Sequence, residues 1–354
     1  MVSDSKQRQK NNTFCRISTN NREQINSKDT VNKNFKKIIE KSTGKKKALL
    51  IVPGFSISYP PEIGNHKEYI KSLKYQSQIN PFGYHSIHLF NPYNHGKKDY
   101  YEITLSQLTH NLWKRVLSLI EIWKEYGIKE IDIIGASMGG ILVRKLLSLH
   151  LIKPNYLKTA NASIKIRNVL LIATPNYGSK LVNLVLSAVG QFIIRLFFGK
   201  NNFTMYKHIQ QLSVRKKLTK NRFKRNKKKH NFLSKLNSDN STPGDIRYIT
   251  LIGTKAKWYS PLIFGWKKPN DGVVAASSAL LPGAENIHDY EIQETYGWNH
   301  RDLYEHPDVC QTIREILLYN FTKKDYKNKV NAINPDYLEA IQKSKKITKS
   351  HSVS

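Results

Sequence analysis

Ile131-Asp132-Ile133-Ile134-Gly135-Ala136-Ser137-Met138-Gly139-Gly140 is the stretch from which the rest of the chain can be read. Its first part is a short apolar run closed by glycine, the pattern of a fully buried strand. Its last part opens a second apolar segment, Met138 to His150, with the length of a helix. Between them lies G-x-S-x-G, with Ser137 at its centre. Alone, that pentapeptide is often no more than a glycine-rich turn. Between a strand and a helix it gains a physical sense. A serine that projects its hydroxyl from the end of a sheet must sit on a sharp, strained turn. Side chains two places before and two places after would collide there, and Gly135 and Gly139 occupy those places. Ser137 also falls at the start of a helix, whose dipole favours negative charge. The stretch predicts a nucleophilic serine.

The surroundings repeat the strand-then-helix rhythm. Ala48-Leu49-Leu50-Ile51-Val52, Ser86-Ile87-His88-Leu89-Phe90, Val169-Leu170-Leu171-Ile172-Ala173 and Ile246 to Ile252 read as four further strands. Ile103 to Tyr126 carries Leu105, Leu108, Leu112, Val116, Leu119, Ile120 and Trp123 at helical spacing, with Gly127 as its stop. Pro307 to Tyr319 reads as a last helix with proline in its first turn. Short apolar strands alternating with helices imply an α/β fold: a mainly parallel central sheet covered by helices on both faces. The rhythm breaks at about 180–240. That interval is too long for an ordinary loop and reads as an inserted cap or lid.

Four stations along the chain resemble the α/β-hydrolase superfamily, particularly its lipase-like serine esterases in the bacterial triacylglycerol lipase and PGAP-like branch. They are Val52-Pro53-Gly54-Phe55 after the first strand, the Ser137 elbow, Ala173-Thr174-Pro175-Asn176-Tyr177-Gly178-Ser179, and Asn270-Asp271-Gly272-Val273-Val274 followed by Trp298-Asn299-His300. The resemblance runs from about Lys47 to about Asn320, with the basic insertion outside it. It implies an α/β-hydrolase fold and a triad in the order nucleophile, acid, histidine: Ser137, Asp271 and His300. It also implies oxyanion donors at the backbone N–H groups of Phe55 and Met138. Pro53 and Ala136 stand where histidines are common in such lipases, and neither departure touches the triad. His306 competes with His300; its alternative is to start the last helix. Asn270-Asp271-Gly272 is also the composition of a plain turn. Some relatives hold a structural calcium near the histidine, and Asp302 falls where one ligand would stand. No partner carboxylate presents itself, so the expectation is a site without a cofactor, calcium being the one candidate.

The charge is uneven. The 354 residues carry 58 Lys and Arg against 26 Asp and Glu, a net +32. Residues 1–47 hold +9, residues 195–235 hold +14 and residues 321–354 hold +5. The body is nearly balanced. The organisation expected is a basic tail at 1–44 with a short helix near Val31 to Lys41, a hydrolase domain at 45–322, and a basic tail at 323–354. Leu181 to Phe198 reads either as a buried core helix or as a lid covering an acyl-binding groove. The basic run that follows, including Lys227-Lys228-Lys229, reads either as a solvated loop or as a contact with anionic headgroups. Tyr59, Trp258, Tyr259, Phe264 and Trp266 are candidates to line an apolar pocket. The two cysteines, Cys15 and Cys310, give no sign of a disulfide framework. With no apolar leader or membrane-length run, a cytoplasmic or peripherally membrane-associated protein is expected.

The function expected is cleavage of carboxylic esters, lipid esters foremost, through an acyl-enzyme on Ser137. Alternatives are an acyltransferase or thioesterase with the same triad, or a non-catalytic protein binding anionic membrane or nucleic acid. The basic segments lack interleaved aromatics, which argues against nucleic acid. The sequence sets no oligomeric state.

Overall fold

Alternate residues of the first strand face opposite ways, and each face finds its own helices. Ala48, Leu50 and Val52 join one apolar cluster with Leu105, Leu112, Val116, Met138 and Leu142. Leu49 and Ile51 join another with Val309, Ile313, Ile316 and Leu317. All five of these strand residues are fully buried. At about 1.5–3 kcal/mol for each large aliphatic side chain taken from water, this strand pins both layers to the sheet.

The computed structural model describes residues 46–54, 84–90, 103–152, 156–158, 163–185, 207–213, 232–238, 242, 245–266, 268–292, 297–326 and 328. All lie within the unit Thr43–Ser354. In chain order the elements used below are β1 (Lys47–Val52), β2 (Ser86–Leu89), α1 (Leu105–Glu125), β3 (Glu130–Ala136), α2 (Met138–His150), β4 (Leu151–Ile152), β5 (Tyr156–Lys158) and β6 (Ser163–Ile172). There follow α3 (Lys180–Val185), α4 (Phe232–Ser238), β7 (Arg247–Ile252), α5 (Ser260–Phe264), β8 (Glu285–His288), α6 (Asp302–Glu305) and α7 (Pro307–Leu318).

The eight strands form one sheet. Parallel pairings run β2-β1-β3-β6-β7-β8, and β4 and β5 add antiparallel to the early half of β6. The register pairs Val52 with Gly135, Ala136 with Ile172 and Ile172 with Leu251. The carboxyl ends of β1, β3, β6 and β7 therefore come together at one edge, where open α/β sheets place their sites.

The helices follow from local signals. Thr104 caps α1, and Gln107 returns the bond to complete a capping box. The buried stripe of α1 is the one read from the sequence, with Thr109 added. Gly127 follows with φ 68°, past the end of the helix. α7 begins at Pro307 with His306 as its N-cap, the His306 side chain accepting from Asp308 N at 3.3 Å.

The sheet has more strands than the apolar runs announce. β8 reads Glu-Asn-Ile-His and is only partly buried. The early half of β6 alternates Ser163-Ile164-Lys165-Ile166-Arg167, a half-exposed pattern that lies before the buried run. Of the expected cap, Lys180–Val185, residues 207–213 and Phe232–Ser238 are described, and Leu181 to Leu184 are half-buried. The rest of Leu181–Phe198, the run around Lys227-Lys228-Lys229, the expected helix at Val31 to Lys41, Phe55, Tyr59 and most of the C-terminal segment lie outside the described residues. Among the described residues no helix is long and apolar enough to cross a membrane.

Candidate active site

Ser137 sits between the last residue of β3 and the first of α2 with φ 49°, a left-handed conformation that costs a side-chain-bearing residue about 1–2 kcal/mol. Its N–H donates to Ile172 O at 2.8 Å, extending the β3–β6 ladder into the turn. The glycines around it answer to close backbone approach. A Cβ on Gly139 would stand 2.1 Å from Val52 O and 2.4 Å from Pro53 O; one on Gly135 would stand 2.6 Å from Gly140 Cα. A Cβ on Gly54 would stand 2.8 Å from Ser137 Cβ. The turn after β1 therefore passes directly over the serine, and it leads into Phe55. Met138 opens α2, so its N–H is one of the helix's first four, which have no intrahelical acceptor.

Asp271 and His300 meet beside this turn. His300 Nδ1 lies 2.7 Å from Asp271 Oδ2, and His300 N donates to Asp271 O at 2.8 Å. Asp271 is 2% exposed. Its other oxygen, Oδ1, accepts from Val273 N at 2.8 Å and Val274 N at 2.7 Å. Asn270 Oδ1 accepts from Gly272 N at 3.0 Å, and Gly272 has φ 93°. Asn270-Asp271-Gly272 is thus a turn, and one that aims a carboxylate at an imidazole. Because the carboxylate accepts, His300 carries its proton on Nδ1 and leaves Nε2 as an acceptor.

Nε2 faces Tyr304, a residue the sequence reading did not single out. The Tyr304 hydroxyl lies 3.3 Å from His300 Nε2, and the two rings meet edge to face with centroids 5.3 Å apart. The Ser137 side chain acts on the same phenol, opposing the rise in its pKa. Burial first, and then the charge of Asp271, push the Tyr304 phenol well above its ordinary pKa, so it stays a neutral donor. The groups brought together are Ser137, Tyr304, His300 and Asp271, with no direct Ser137–His300 hydrogen bond among the described residues. Tyr304 is four residues after His300, one helical turn on; that spacing was the only signal in the sequence.

Asp289 holds the histidine loop and was also missed. It is 1% exposed. It accepts from Thr254 N, Thr254 Oγ1 and Trp298 N at 2.6 Å each, and from Tyr290 N at 2.8 Å. It thereby joins the end of β7 to Trp298-Asn299-His300.

The Thr174–Ser179 turn is tied just as closely. Ser179 Oγ donates to Val273 O at 2.6 Å, next to Asp271. Asn176 Nδ2 donates to Ala279 O at 2.8 Å, and Arg144 Nη1 donates to Asn176 Oδ1 at 3.1 Å. Arg144 Nη2 donates to Asn237 Oδ1 at 2.8 Å, which fastens α4 to α2. Burial lowers the pKa of this arginine to about 10.

Other candidates fall elsewhere. The His306 ring is 43% exposed and caps α7. Asp302 Oδ2 accepts from Asn299 N at 3.1 Å and Asn299 Nδ2 at 2.5 Å, and faces Lys255 Nζ at 3.7 Å. Among the described residues no three His, Cys, Asp or Glu side chains gather to hold a metal. Of the aromatics expected to line a pocket, Phe264 is buried in the body, while Trp258 and Trp266 project into solvent at 86% and 80% exposure. The nearby cavity, about 350 Å³, is lined instead by such residues as Thr254, Ser260, Lys268 and Asn270.

No family model and no curated protein matches the chain. Solved structures do. Phospholipase PlaB from Legionella pneumophila is similar over 85% of this chain and 65% of its own, at 14% identity with a TM-score of 0.52. The chain has the α/β-hydrolase fold. Lipase BlEst2 from Bacillus licheniformis, in its mature form, is similar over 78% of this chain and 93% of its own, at 19% identity with a TM-score of 0.47. A lipase-esterase related protein from Clostridium acetobutylicum is similar over 77% and 96%, at 16% identity with a TM-score of 0.36. In this α/β-hydrolase fold, the Ser137 turn, the Asp271 turn and the His300 loop all follow carboxyl ends of strands or the segments after them.

Proposed function

We propose that the protein is a serine hydrolase that cleaves carboxylic esters, with lipid esters as its substrate class. The observation that carries the reading is the strained Ser137 elbow beside Tyr304, whose hydroxyl meets an Asp271–His300 pair closed at 2.7 Å. Catalytic hydrogen bonds are often loose without substrate and tighten when it binds.

Ser137 Oγ then attacks the ester carbonyl while His300 Nε2 takes its proton. The carbonyl oxygen becomes an oxyanion, met by the backbone N–H groups of Met138 and Phe55. The bond to the alcohol breaks as His300 returns the proton to the departing oxygen. Asp271 holds the imidazole in its tautomer and stabilises its cation. Water, with His300 as base, attacks the acyl-enzyme and frees Ser137. No step requires a cofactor.

Support for lipid esters comes from the lipase-like stations in the sequence and from the names of similar structures, a phospholipase and a lipase. The bacterial lipase and PGAP-like branch is the placement that accords with those stations. The basic insertion would add electrostatic attraction to anionic headgroups.

Hydrolysis of p-nitrophenyl esters from short to long acyl chains, wild type beside Ser137→Ala, tests the reading. Activity is expected in the wild type and its loss in the variant, with the thermal transition kept. Equal activity in pure Ser137→Ala would remove Ser137 as nucleophile. A folded wild type inert on every ester would turn the reading toward acyl transfer to an acceptor other than water.

A further inference from the structure

The segment Lys255 to Asn270 holds apolar side chains out in water. Trp258 is 86% exposed, Leu262 85% and Trp266 80%, the three most exposed large apolar side chains among the described residues. They do not belong to a loose loop. α5 lies between the two tryptophans, and its underside is anchored by Phe264 and Ser260, both at most 2% exposed. Ser260 Oγ accepts from Lys257 N and Ser260 N donates to Lys257 O, both at 2.9 Å; Gly265 N donates to Pro261 O at 3.0 Å. Trp258 also packs edge to face on Tyr259, with ring centroids 5.6 Å apart. A short turn fastened from below thus presents two tryptophans and a leucine outward. A cluster of that kind marks a contact surface rather than ordinary surface scatter.

The charges around it say what it contacts. From Lys255 to Asn270 the sequence has four lysines and no acidic residue. Lys257 and Lys268 are both exposed. Tryptophan rings settle at the boundary between headgroups and acyl chains, leucine goes deeper, and lysine stems let the ammonium reach phosphate. Apolar tips in a cationic collar complement an anionic bilayer.

The turn also stands beside the candidate site. Lys257 Cγ would lie 2.6 Å, and Tyr259 Oη 3.5 Å, from a Cβ placed on Gly272, the residue after Asp271. Contact made by this turn brings the Asp271–His300 side of the sheet edge close to the surface.

We propose that Trp258, Leu262 and Trp266 are an interfacial anchor that seats the site on an anionic lipid bilayer, with Lys257 and Lys268 at headgroup level. The proposal rests on the lipid-ester reading for its purpose, and it places the contact on this turn rather than on the basic insertion.

The test uses the full chain and two kinds of unilamellar vesicle, phosphatidylcholine alone and phosphatidylcholine mixed with phosphatidylglycerol. Binding is read by co-sedimentation, and insertion by quenching of tryptophan fluorescence with bromine-labelled acyl chains. Wild type is expected to bind the mixed vesicles and be quenched. Trp258→Ala/Leu262→Ala/Trp266→Ala is expected to bind at least about tenfold more weakly and lose quenching, because affinity scales with the apolar area inserted. Leu262→Glu, a single change at an exposed position, shifts binding the same way. Lys257→Gln/Lys268→Gln is expected to lower binding to mixed vesicles and leave that to phosphatidylcholine unchanged. Hydrolysis of a soluble short-chain ester stays within about twofold in all of them, since no removed group touches the triad.

A triple variant that binds as wild type does, or a wild type that binds without quenching, overturns the anchor. So does a triple variant that changes only the oligomeric state, which would make the surface a contact between copies. The two readings fail separately. Intact ester hydrolysis with unchanged vesicle binding removes the anchor alone. Vesicle binding through this turn by a protein inert on every ester removes the hydrolase alone.

Discussion

The hydroxyl of Tyr304 stands 3.3 Å from Nε2 of His300, and Ser137 acts on the same phenol, so Tyr304 neighbours both the proposed nucleophile and its base. The donors all run one way. Tyr304 O–H donates to His300 Nε2, and His300 Nδ1–H donates to Asp271. Tyr304 keeps its proton, because burial and the Asp271 charge hold its pKa high. It therefore caps Nε2 of His300.

Tyr304→Phe removes that hydroxyl and keeps the ring. The expected result is kcat/KM for a soluble ester equal to wild type or up to about tenfold higher, one resting hydrogen bond being worth about 1 kcal/mol. Steady-state kinetics on a p-nitrophenyl ester checks it. A loss of two orders of magnitude would make the phenol an obligatory proton relay.

Asp289 places His300 without touching it. Its four accepted bonds hold Thr254, Tyr290 and Trp298, two residues before the histidine. Asp289→Ala leaves those donors buried and lets the loop drift. A shift of about 1 Å at a reacting group costs on the order of a hundredfold in rate. Loss of about 10- to 100-fold in kcat with a small change in KM is expected from the kinetics of the folded variant. Unchanged kcat would show that the loop is set by other contacts.

The elbow was legible because its requirements are local. Two glycines, a buried strand before and an apolar helix after leave little else for Ser137 to be. Buried strands were legible for the same reason: β1, β3, the late half of β6 and β7 are mostly apolar and mostly buried. β8 was not, because Glu285, Asn286 and His288 are only partly buried and break the run. Asp271 and His300 were reachable only through resemblance, since 28 residues separate them in sequence and only the fold brings them to 2.7 Å. Tyr304 and Asp289 carried no motif at all. Their roles come from where α6 and the end of β8 fall in space. Trp258 and Trp266 mislead for the opposite reason: apolar residues near a site suggest a lining, and here they point outward.

Gly139 in the elbow and Gly127 after α1 offer a graded test of packing. Gly139→Ala would put Cβ 2.1 Å from Val52 O, against backbone that cannot rotate away. Gly127→Ala has nothing within 4 Å and bears only the cost of φ 68°. Chemical denaturation is expected to show about 1–2 kcal/mol lost at Gly127 and about 3 kcal/mol or more at Gly139. Similar losses at both would mean that the elbow lies farther from β1 than these contacts require.

The most direct test of the proposed chemistry is covalent. A fluorophosphonate reacts with an activated serine and reports it by intact mass and peptide mapping. Wild type is expected to gain one adduct on Ser137, Ser137→Ala none, and His300→Ala to react slower by several orders of magnitude. An adduct on another residue, or a folded wild type that takes none, would contradict the assignment of Ser137 as the nucleophile.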